Sequence, residues 1–149
     1  MRYLLRGMEK EDIDAIIEGE EIVFGQSMGK DFLLSELEIN PFSQYIVLEV
    51  DGKVSGYIGL WITDNVQVMN FYVLPEYQKM GFGTMIMEFV IKVCLASKVK
   101  ALTLEVRESN IKAIKLYERF GLKKASIRKA YYNNGEDALL MERVFEVQK

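Results

Sequence analysis

The chain has 149 residues, of which half are hydrophobic and 28% are charged, and its formal net charge is −3. This length predicts one globular domain, the acidic balance disfavours direct binding to nucleic acid, and no apolar run is long enough to cross a membrane. The sequence has one cysteine and no histidine, which excludes an internal disulfide, a Ser-His-Asp triad and imidazole metal sites. We therefore expect a cytoplasmic protein with no signal peptide and no metal, in which the general base is a carboxylate, a tyrosine, a lysine or water.

The first half of the sequence predicts a strand, two helices and an antiparallel meander. Helical spacing of apolar residues begins after Asp12, and a shorter helix is expected around 32–37, before Asn40-Pro41. Residues 25–29 form a loop between these helices. The meander strands are connected by tight turns such as Asp51-Gly52. The strands are expected at 2–6, 45–50, 54–62 and 66–74.

The second half predicts a crossover, a further helix and a hairpin. A helix with Ile86, Val90 and Cys94 on its buried face is expected to reach about Ser97, and Cys94 is interpreted as a packing residue. Because strand–helix–strand crossovers are right-handed, the next strand should run parallel to 66–74. The later elements are expected at 101–107, from the Ser109-Asn110 cap to about 120, at 122–132 and at 138–145. Together they predict an α/β fold with a mixed sheet and helices on both faces.

The stretch NFYVLPEYQKMGFGT, residues 70–84, indicates an anion site. A strand ends at Pro75, and Gly81 and Gly83 precede a helix. The first N–H groups of a helix have no internal partner, and glycine allows a phosphate to approach the backbone. The stretch matches neither the Walker loop nor the dinucleotide fingerprint GxGxxG. It predicts a pyrophosphate site, and the alternative is an ordinary helix start with two flexible glycines.

Glu105 and Tyr117 are the candidate catalytic residues. Glu105 is a carboxylate among the apolar residues of a central strand, so it is either a general base, acting directly or through water, or the partner of Arg107 in an ion pair on the same face. Tyr117 lies seven residues after Asn110 on one helix face, and it is either a proton donor or a packing aromatic. Asn110 itself fits a helix N-cap.

Tyr131 and Tyr132 lie at the base of the predicted hairpin. Adjacent strand residues point to opposite faces, so at most one of them belongs to the core. The other either borders a substrate groove or is an exposed aromatic at the sheet edge. The basic residues Lys123, Lys124, Arg128 and Lys129 are interpreted as a solvated strand face.

The pattern Gln78-x-x-Gly81-x-Gly83 resembles the acetyl-coenzyme A signature [QR]-x-x-G-x-[GA] of the GCN5-related N-acetyltransferases (GNAT). The segment LEVRESNIKAIKLYERFGLKKASIRKAYYNNGEDALLM, residues 104–141, resembles the ribosomal-protein N-terminal alanine acetyltransferases, the RimI type within that superfamily. The resemblance covers nearly the whole chain. It implies the GNAT fold, a mostly antiparallel sheet splayed in a V between 66–74 and 101–107, and a single acetyltransferase domain over residues 1–149.

The resemblance also implies roles for individual residues. Glu105 is the implied proton acceptor, Tyr117 the implied proton donor, and Asn110 is expected to touch the coenzyme. The implied acetyl-pantetheine contacts are Phe71, Tyr72 and Val73, the pyrophosphate contacts are Lys79, Met80, Gly81, Phe82, Gly83 and Thr84, and the residues bordering the peptide groove are Tyr131 and Tyr132. Backbone N–H groups near Val73 would polarise the thioester carbonyl.

The sequence departs from the family pattern in two places. Relatives often have Pro-Trp where this chain has Gln26-Ser27-Met28, in a loop that helps to form the substrate groove. The usual strand Asn-Ile-Ala-Val is Asn70-Phe71-Tyr72-Val73 here. The bulkier Phe71 and Tyr72 are expected to narrow the cofactor cleft or the acceptor entrance.

The resemblance therefore implies a protein N-α-acetyltransferase that uses acetyl-coenzyme A. The expected acceptor is a protein or peptide N-terminus, with a ribosomal-protein N-terminal alanine as the implied target. One alternative is an acetyltransferase of the same fold that acts on a lysine side chain or a small amine. Another is a module that binds acetyl-coenzyme A without catalysis, against which the presence of both Glu105 and Tyr117 argues. The oligomeric state is left open.

Overall fold

A computed structural model describes residues 1–145 of the chain. The described residues form a seven-stranded sheet in the order β1-β2-β3-β4-β5-β7-β6, together with four α-helices. This mixed, mostly antiparallel arrangement is the predicted α/β fold. The elements are β1 (Tyr3–Gly7), α1 (Ile13–Phe24), α2 (Lys30–Glu38), β2 (Ser43–Val50), β3 (Lys53–Ile62), β4 (Val66–Val73), α3 (Phe82–Ser97), β5 (Ala101–Arg107), α4 (Ile111–Arg119), β6 (Lys123–Arg128) and β7 (Ala138–Val144).

The chain divides into two compact units. Unit 1 contains Met1–Ile62 and Met69–Ile86, and unit 2 contains Thr63–Val68 and residues 87–145. Among residues 1–145, no helix combines the length and apolar character needed to span a bilayer. That the chain acts as one acetyltransferase domain stays a prediction.

Unit 1 is built on the antiparallel pairs β1–β2 and β2–β3. Its core contains Ile13 and Ile16 from α1 and Leu33 from α2, which are at most 1% exposed. A tyrosine cluster, formed by Tyr45, Tyr57 and Tyr72, packs against these residues. The rings of Tyr45 and Tyr57 stack with their centroids 6.0 Å apart, and those of Tyr57 and Tyr72 meet edge to face at 5.0 Å. The cluster explains why three strands carry tyrosine at inward positions: the rings supply apolar area and each hydroxyl has a partner.

Unit 2 is built around β5. The first residues of β4 pair with it in parallel, Val66 with Leu102 and Gln67 with Thr103, as the right-handed crossover predicts. The parallel register covers these two residue pairs. On its other side β5 pairs with β7 along its whole length, and β7 pairs with β6. The core residues include Met87, Leu102, Leu122 and Met141, all at most 1% exposed.

Two local predictions are corrected by the structure. The strand predicted at 122–132 ends at Arg128, because Ala130 has a φ of +52° and its N–H donates to Asp137 Oδ1 at 2.9 Å instead of continuing the ladder. Tyr131 and Tyr132 therefore lie in the β6–β7 loop rather than on a strand. The helix after the glycine loop begins at Phe82 and includes Gly83. The packing role predicted for Cys94 is confirmed, since its side chain is a buried free thiol on α3.

Candidate active site

The predicted pyrophosphate loop lies in unit 1 between β4 and α3. After β4, residues Pro75–Tyr77 form a single 3-10 turn, and the side-chain amide of Gln78 donates to the carbonyl of Val73 at 2.8 Å. The signature glutamine thus ties the loop to the end of the strand. Gly81 follows with a φ of +86°, and a Cβ built there meets no atom within 4 Å. An open, left-handed glycine directly before a helix start gives a phosphate room to reach the first N–H groups of α3.

The side chains of the predicted coenzyme residues differ in where they point. Phe82 is 5% exposed and its ring meets that of Tyr3 edge to face at 5.3 Å, so its side chain belongs to the core. Val73 is buried, Phe71 is half-buried and Met80 is exposed. Lys79 is exposed and has a φ of +65°. For the buried members, any contact with a ligand falls to the backbone.

Tyr72 is a particular case, because its bulk was expected to narrow a cleft. Its ring instead fills the space over Gly19 of α1, where a Cβ would come within 2.0 Å of the tyrosine hydroxyl. The hydroxyl donates to the carbonyl of Ile16 at 3.2 Å. Burial raises the pKa of this phenol, with the charge of Glu20 adding to the shift. The departure from the family strand pattern is therefore absorbed by a glycine in the facing helix.

Glu105 lies in unit 2 on β5, between the buried residues Leu104 and Val106. Its Oε1 forms an ion pair at 3.2 Å with Arg128 of β6, and the two side chains are 22% and 60% exposed. The alternative ion pair between Glu105 and Arg107 is wrong, because Arg107 pairs with Glu136 at 3.1 Å. Glu105 is thus a partly accessible carboxylate with one exposed cationic partner, an arrangement that leaves it able to accept a proton.

Tyr117 is 7% exposed on α4. Burial raises the pKa of its phenol, and the nearby Tyr132 adds to the shift. Tyr117 is therefore protonated at neutral pH, as a proton donor must be. The pKa of Tyr132 is also raised, first by burial and further by the charge of Glu105, whereas Arg107 opposes the shift. Tyr132 thus interacts electrostatically with both predicted catalytic residues, Glu105 and Tyr117.

The β6–β7 loop is held by a cluster that the sequence did not reveal. The guanidinium of Arg107 stacks on the ring of Tyr132 at 4.1 Å and also binds Glu136. Hydrogen bonds from Ser109, Asn134 and Arg107 lower the pKa of Glu136 to about 2. The other member of the pair, Tyr131, is 53% exposed and meets Tyr132 edge to face at 5.2 Å. Strand alternation was the available signal, since it places Arg107 on the same face as Glu105.

Asn110 is the N-cap of α4, as its sequence position predicts. Its side-chain oxygen accepts from the N–H of Ala113 at 3.3 Å. A contact with the coenzyme stays a prediction. A cavity of 570 Å³ lined by residues of α3, α4 and β7 contains none of the predicted site residues.

The chain is similar to several known proteins. The model of the acetyltransferase (GNAT) family matches residues 12–122. The chain is 41% identical over 139 residues to a Bacillus subtilis protein named as a candidate ribosomal protein bS18-alanine N-acetyltransferase, with 92% of each chain covered.

Two solved structures show the same fold. The ribosomal-protein-S18-alanine N-acetyltransferase of Escherichia coli matches with a TM-score of 0.89 and 28% identity, over 99% of this chain and 97% of that one. Arabidopsis thaliana Naa50, solved in complex with the bisubstrate analogue CoA-Ac-MVNAL, matches with a TM-score of 0.84 over 97% of this chain and 100% of that one. At 19% identity, the second match is a likeness of fold alone.

Proposed function

Because the chain belongs to the acetyltransferase (GNAT) family, we propose that it transfers the acetyl group of acetyl-coenzyme A to the N-terminal amine of a protein or peptide. The relatives described above are named for alanine N-acetylation of ribosomal protein bS18. A ribosomal protein with an N-terminal alanine is therefore the proposed acceptor. A cytoplasmic location is part of the proposal.

The observation that carries the proposal is the glycine loop before α3. In this loop the side chain of Gln78 is hydrogen-bonded to the end of β4. Gly81 has a left-handed backbone conformation with open space beside it, and α3 begins at Phe82. The unpaired N–H groups and the dipole of a helix start favour a doubly charged pyrophosphate. We assign the pyrophosphate of acetyl-coenzyme A to residues Lys79, Met80, Gly81, Phe82, Gly83 and Thr84, and its acetyl-pantetheine arm to Phe71, Tyr72 and Val73.

The chemistry needs a base, an acid and a donor for the carbonyl oxygen. A free α-amine has a pKa near 8, so a carboxylate can deprotonate it directly or through water. In the proposal Glu105 accepts this proton, and the neutral amine attacks the thioester carbon. A backbone N–H near Val73 stabilises the oxyanion. Tyr117, which its raised pKa keeps protonated, donates a proton to the departing thiolate.

The peptide-binding part of the proposal concerns the β6–β7 loop. Tyr131 and Tyr132 border the acceptor groove, and Arg107 stacked on Tyr132 keeps the ring in place. The exposed ring of Tyr131 offers an apolar surface with a polar tip, a combination suited to a peptide side chain. Asn110 caps α4 and is proposed to touch the coenzyme.

Two peptides test the proposal when each is incubated with acetyl-coenzyme A and analysed by mass spectrometry. One has a free N-terminal alanine and no lysine, and the other has a blocked N-terminus and one lysine. Acetylation of the first alone is expected. Acetylation of the lysine peptide alone would replace the proposal by side-chain acetylation. If neither peptide changes while the coenzyme binds, the chain is a binding module or acts on a small amine.

A further inference from the structure

Glu20 is a buried carboxylate of unit 1 that the chemistry above does not use. It lies on α1 and is 1% exposed. Ser27 Oγ donates to its Oε1 at 2.9 Å, while Tyr57 Oη and Asn70 Nδ2 donate to its Oε2 at 2.9 and 2.6 Å. The backbone N–H of Met28 is a further donor. A carboxylate has about four lone-pair sites, so these donors occupy all of them.

The donors come from two places: the sheet and the α1–α2 loop, residues 25–29. Gly25 and Gly29 stand at the ends of this loop, with φ of +78° and +92°, and glycine restrains the backbone less than any other residue. Ser27 in the middle binds Glu20 and also accepts from the N–H of Gly29 at 3.0 Å. The bonds to Glu20 therefore hold the centre of a loop whose two ends are intrinsically flexible.

Two apolar side chains are exposed beside Ser27, one at the end of α1 and one in the loop. Phe24 and Met28, on either side of Ser27, are 38% and 50% exposed. The ring of Phe24 meets that of Tyr72 on β4 edge to face at 6.2 Å. Binding residues are found disproportionately on loops held by a rigid scaffold, so these two side chains offer a contact surface to a peptide. On β4, Asn70 directly precedes the segment that we assign to the acetyl-pantetheine arm, so one carboxylate fixes both the apolar surface and that strand.

We propose that Glu20 is a positioning residue for the acceptor: by holding the α1–α2 loop to β3 and β4, it sets the affinity for the peptide that receives the acetyl group. This inference rests on the proposed function, which supplies the acceptor. Glu20 acts through Ser27 and Met28, because its own side chain is buried. Where relatives often have Pro-Trp, this chain has Gln26-Ser27-Met28, and Ser27 of this segment is hydrogen-bonded to the buried carboxylate of Glu20.

Two variants remove the tie to the loop. Ser27→Ala deletes only the hydroxyl donor, and Glu20→Gln replaces a charged acceptor by a neutral amide. Each should raise the KM for a peptide with a free N-terminal alanine about tenfold, the effect of losing one charge-assisted hydrogen bond, and leave the KM for acetyl-coenzyme A unchanged. Ser27→Thr keeps the hydroxyl and should restore the KM of the unaltered protein.

Glu36 supplies the matched control. It is a buried carboxylate of the same unit, 3% exposed on α2. It accepts from Tyr45 Oη at 2.8 Å, from Asn40 Nδ2 at 2.7 Å and from Trp61 Nε1, all of which lie outside the loop. Glu36→Gln should lower the free energy of unfolding without raising the KM for the peptide. An equal rise in KM for this variant would show a general packing effect and overturn the proposal.

Hydrogen exchange separates this inference from the proposed function. The amides of residues 25–29 should exchange faster in Glu20→Gln and Ser27→Ala than in Glu36→Gln or the unaltered protein. Unchanged exchange, or an unchanged peptide KM in both loop variants, would overturn the positioning role. If the unaltered protein acetylates no peptide, the proposed function and the acceptor role of Glu20 both fail, and the exchange rates then report only whether Glu20 holds the loop.

Discussion

At the scale of single residues, the central assignment is Glu105. Its carboxylate is partly accessible and pairs only with the exposed Arg128 among the ion pairs of the described residues. Glu105→Gln should lower kcat by roughly 10²-fold, since general-base catalysis is typically worth that much, while the Kd for acetyl-coenzyme A is unchanged. Initial rates and calorimetric titration measure the two quantities. Glu142→Gln, a half-buried carboxylate on the neighbouring β7, is the control and should keep its activity.

Asp12 should make the free energy of unfolding depend on pH, and this effect is independent of catalysis. Arg6 donates to both of its oxygens at 2.7 and 2.9 Å, and the N–H of Glu9 donates at 2.8 Å. The bond with Arg6 is the main cause that lowers the pKa of this carboxyl. A lowered pKa in the folded state gives stability that is present above the unfolded pKa, about 3.9, and is lost as the pH falls through the folded pKa.

Asp12→Asn should therefore lower the free energy of unfolding by about 2 kcal/mol at pH 7, and the difference should vanish in strong acid. Urea unfolding at both pH values measures it. Asp14→Asn, an exposed carboxylate in the first turn of α1, is the control and should change stability by less than about 0.5 kcal/mol. An Asp12→Asn deficit that persists at low pH would contradict the assignment to the charged pair.

Among the secondary-structure elements, the loop between β4 and α3 is the proposed coenzyme site, and a substitution of Gly81 tests this role. Gly81→Ala forces a side chain into a left-handed conformation, and the loop should shift away from the phosphate-binding position. We expect the KM for acetyl-coenzyme A to rise by about tenfold or more, since a displaced helix start loses charge-assisted bonds to a phosphate. Gly52→Ala in the β2–β3 turn is the matched control, because its φ of +80° and open surroundings are the same. Equal coenzyme KM values for the two variants would show that the loop does not hold the coenzyme.

The elements also show what the sequence could predict. Apolar spacing located the seven strands and four helices, and the crossover rule gave the parallel pairing of Val66 with Leu102. The sequence did not show that β7 lies between β5 and β6, because either strand of a hairpin can pair with the neighbouring strand of the sheet. The end of β6 was also missed, since the positive φ of Ala130 depends on its bond to Asp137 and not on a glycine.

In the candidate site, the local sequence pattern was enough to predict the glycine-containing loop after β4 and the helix cap at Asn110. The partners of Glu105 and Arg107 could not be predicted, because each is a residue of another strand or loop brought near by tertiary packing. The same holds for Glu20, whose partners are spread from Ser27 to Asn70. The fit of Tyr72 over Gly19 is a further long-range pairing that no spacing rule contains.

In the whole molecule, the proposed roles are divided between the two units. Unit 1 carries the coenzyme loop and the loop held by Glu20, and unit 2 carries Glu105, Tyr117 and the tyrosine pair. The claim that joins these roles is the choice of acceptor amine. An α-amine, with a pKa near 8, is partly neutral at physiological pH, whereas a lysine amine, with a pKa near 10.4, needs stronger deprotonation. A carboxylate base therefore favours the N-terminus.

The most direct measurement uses one peptide that contains both amines, a free N-terminal alanine and one internal lysine. The peptide is incubated with acetyl-coenzyme A and the chain, and tandem mass spectrometry then locates the acetyl group. We expect the acetyl group on the N-terminal amine and an unmodified lysine. Acetylation of the lysine with a free N-terminus would contradict the proposed function.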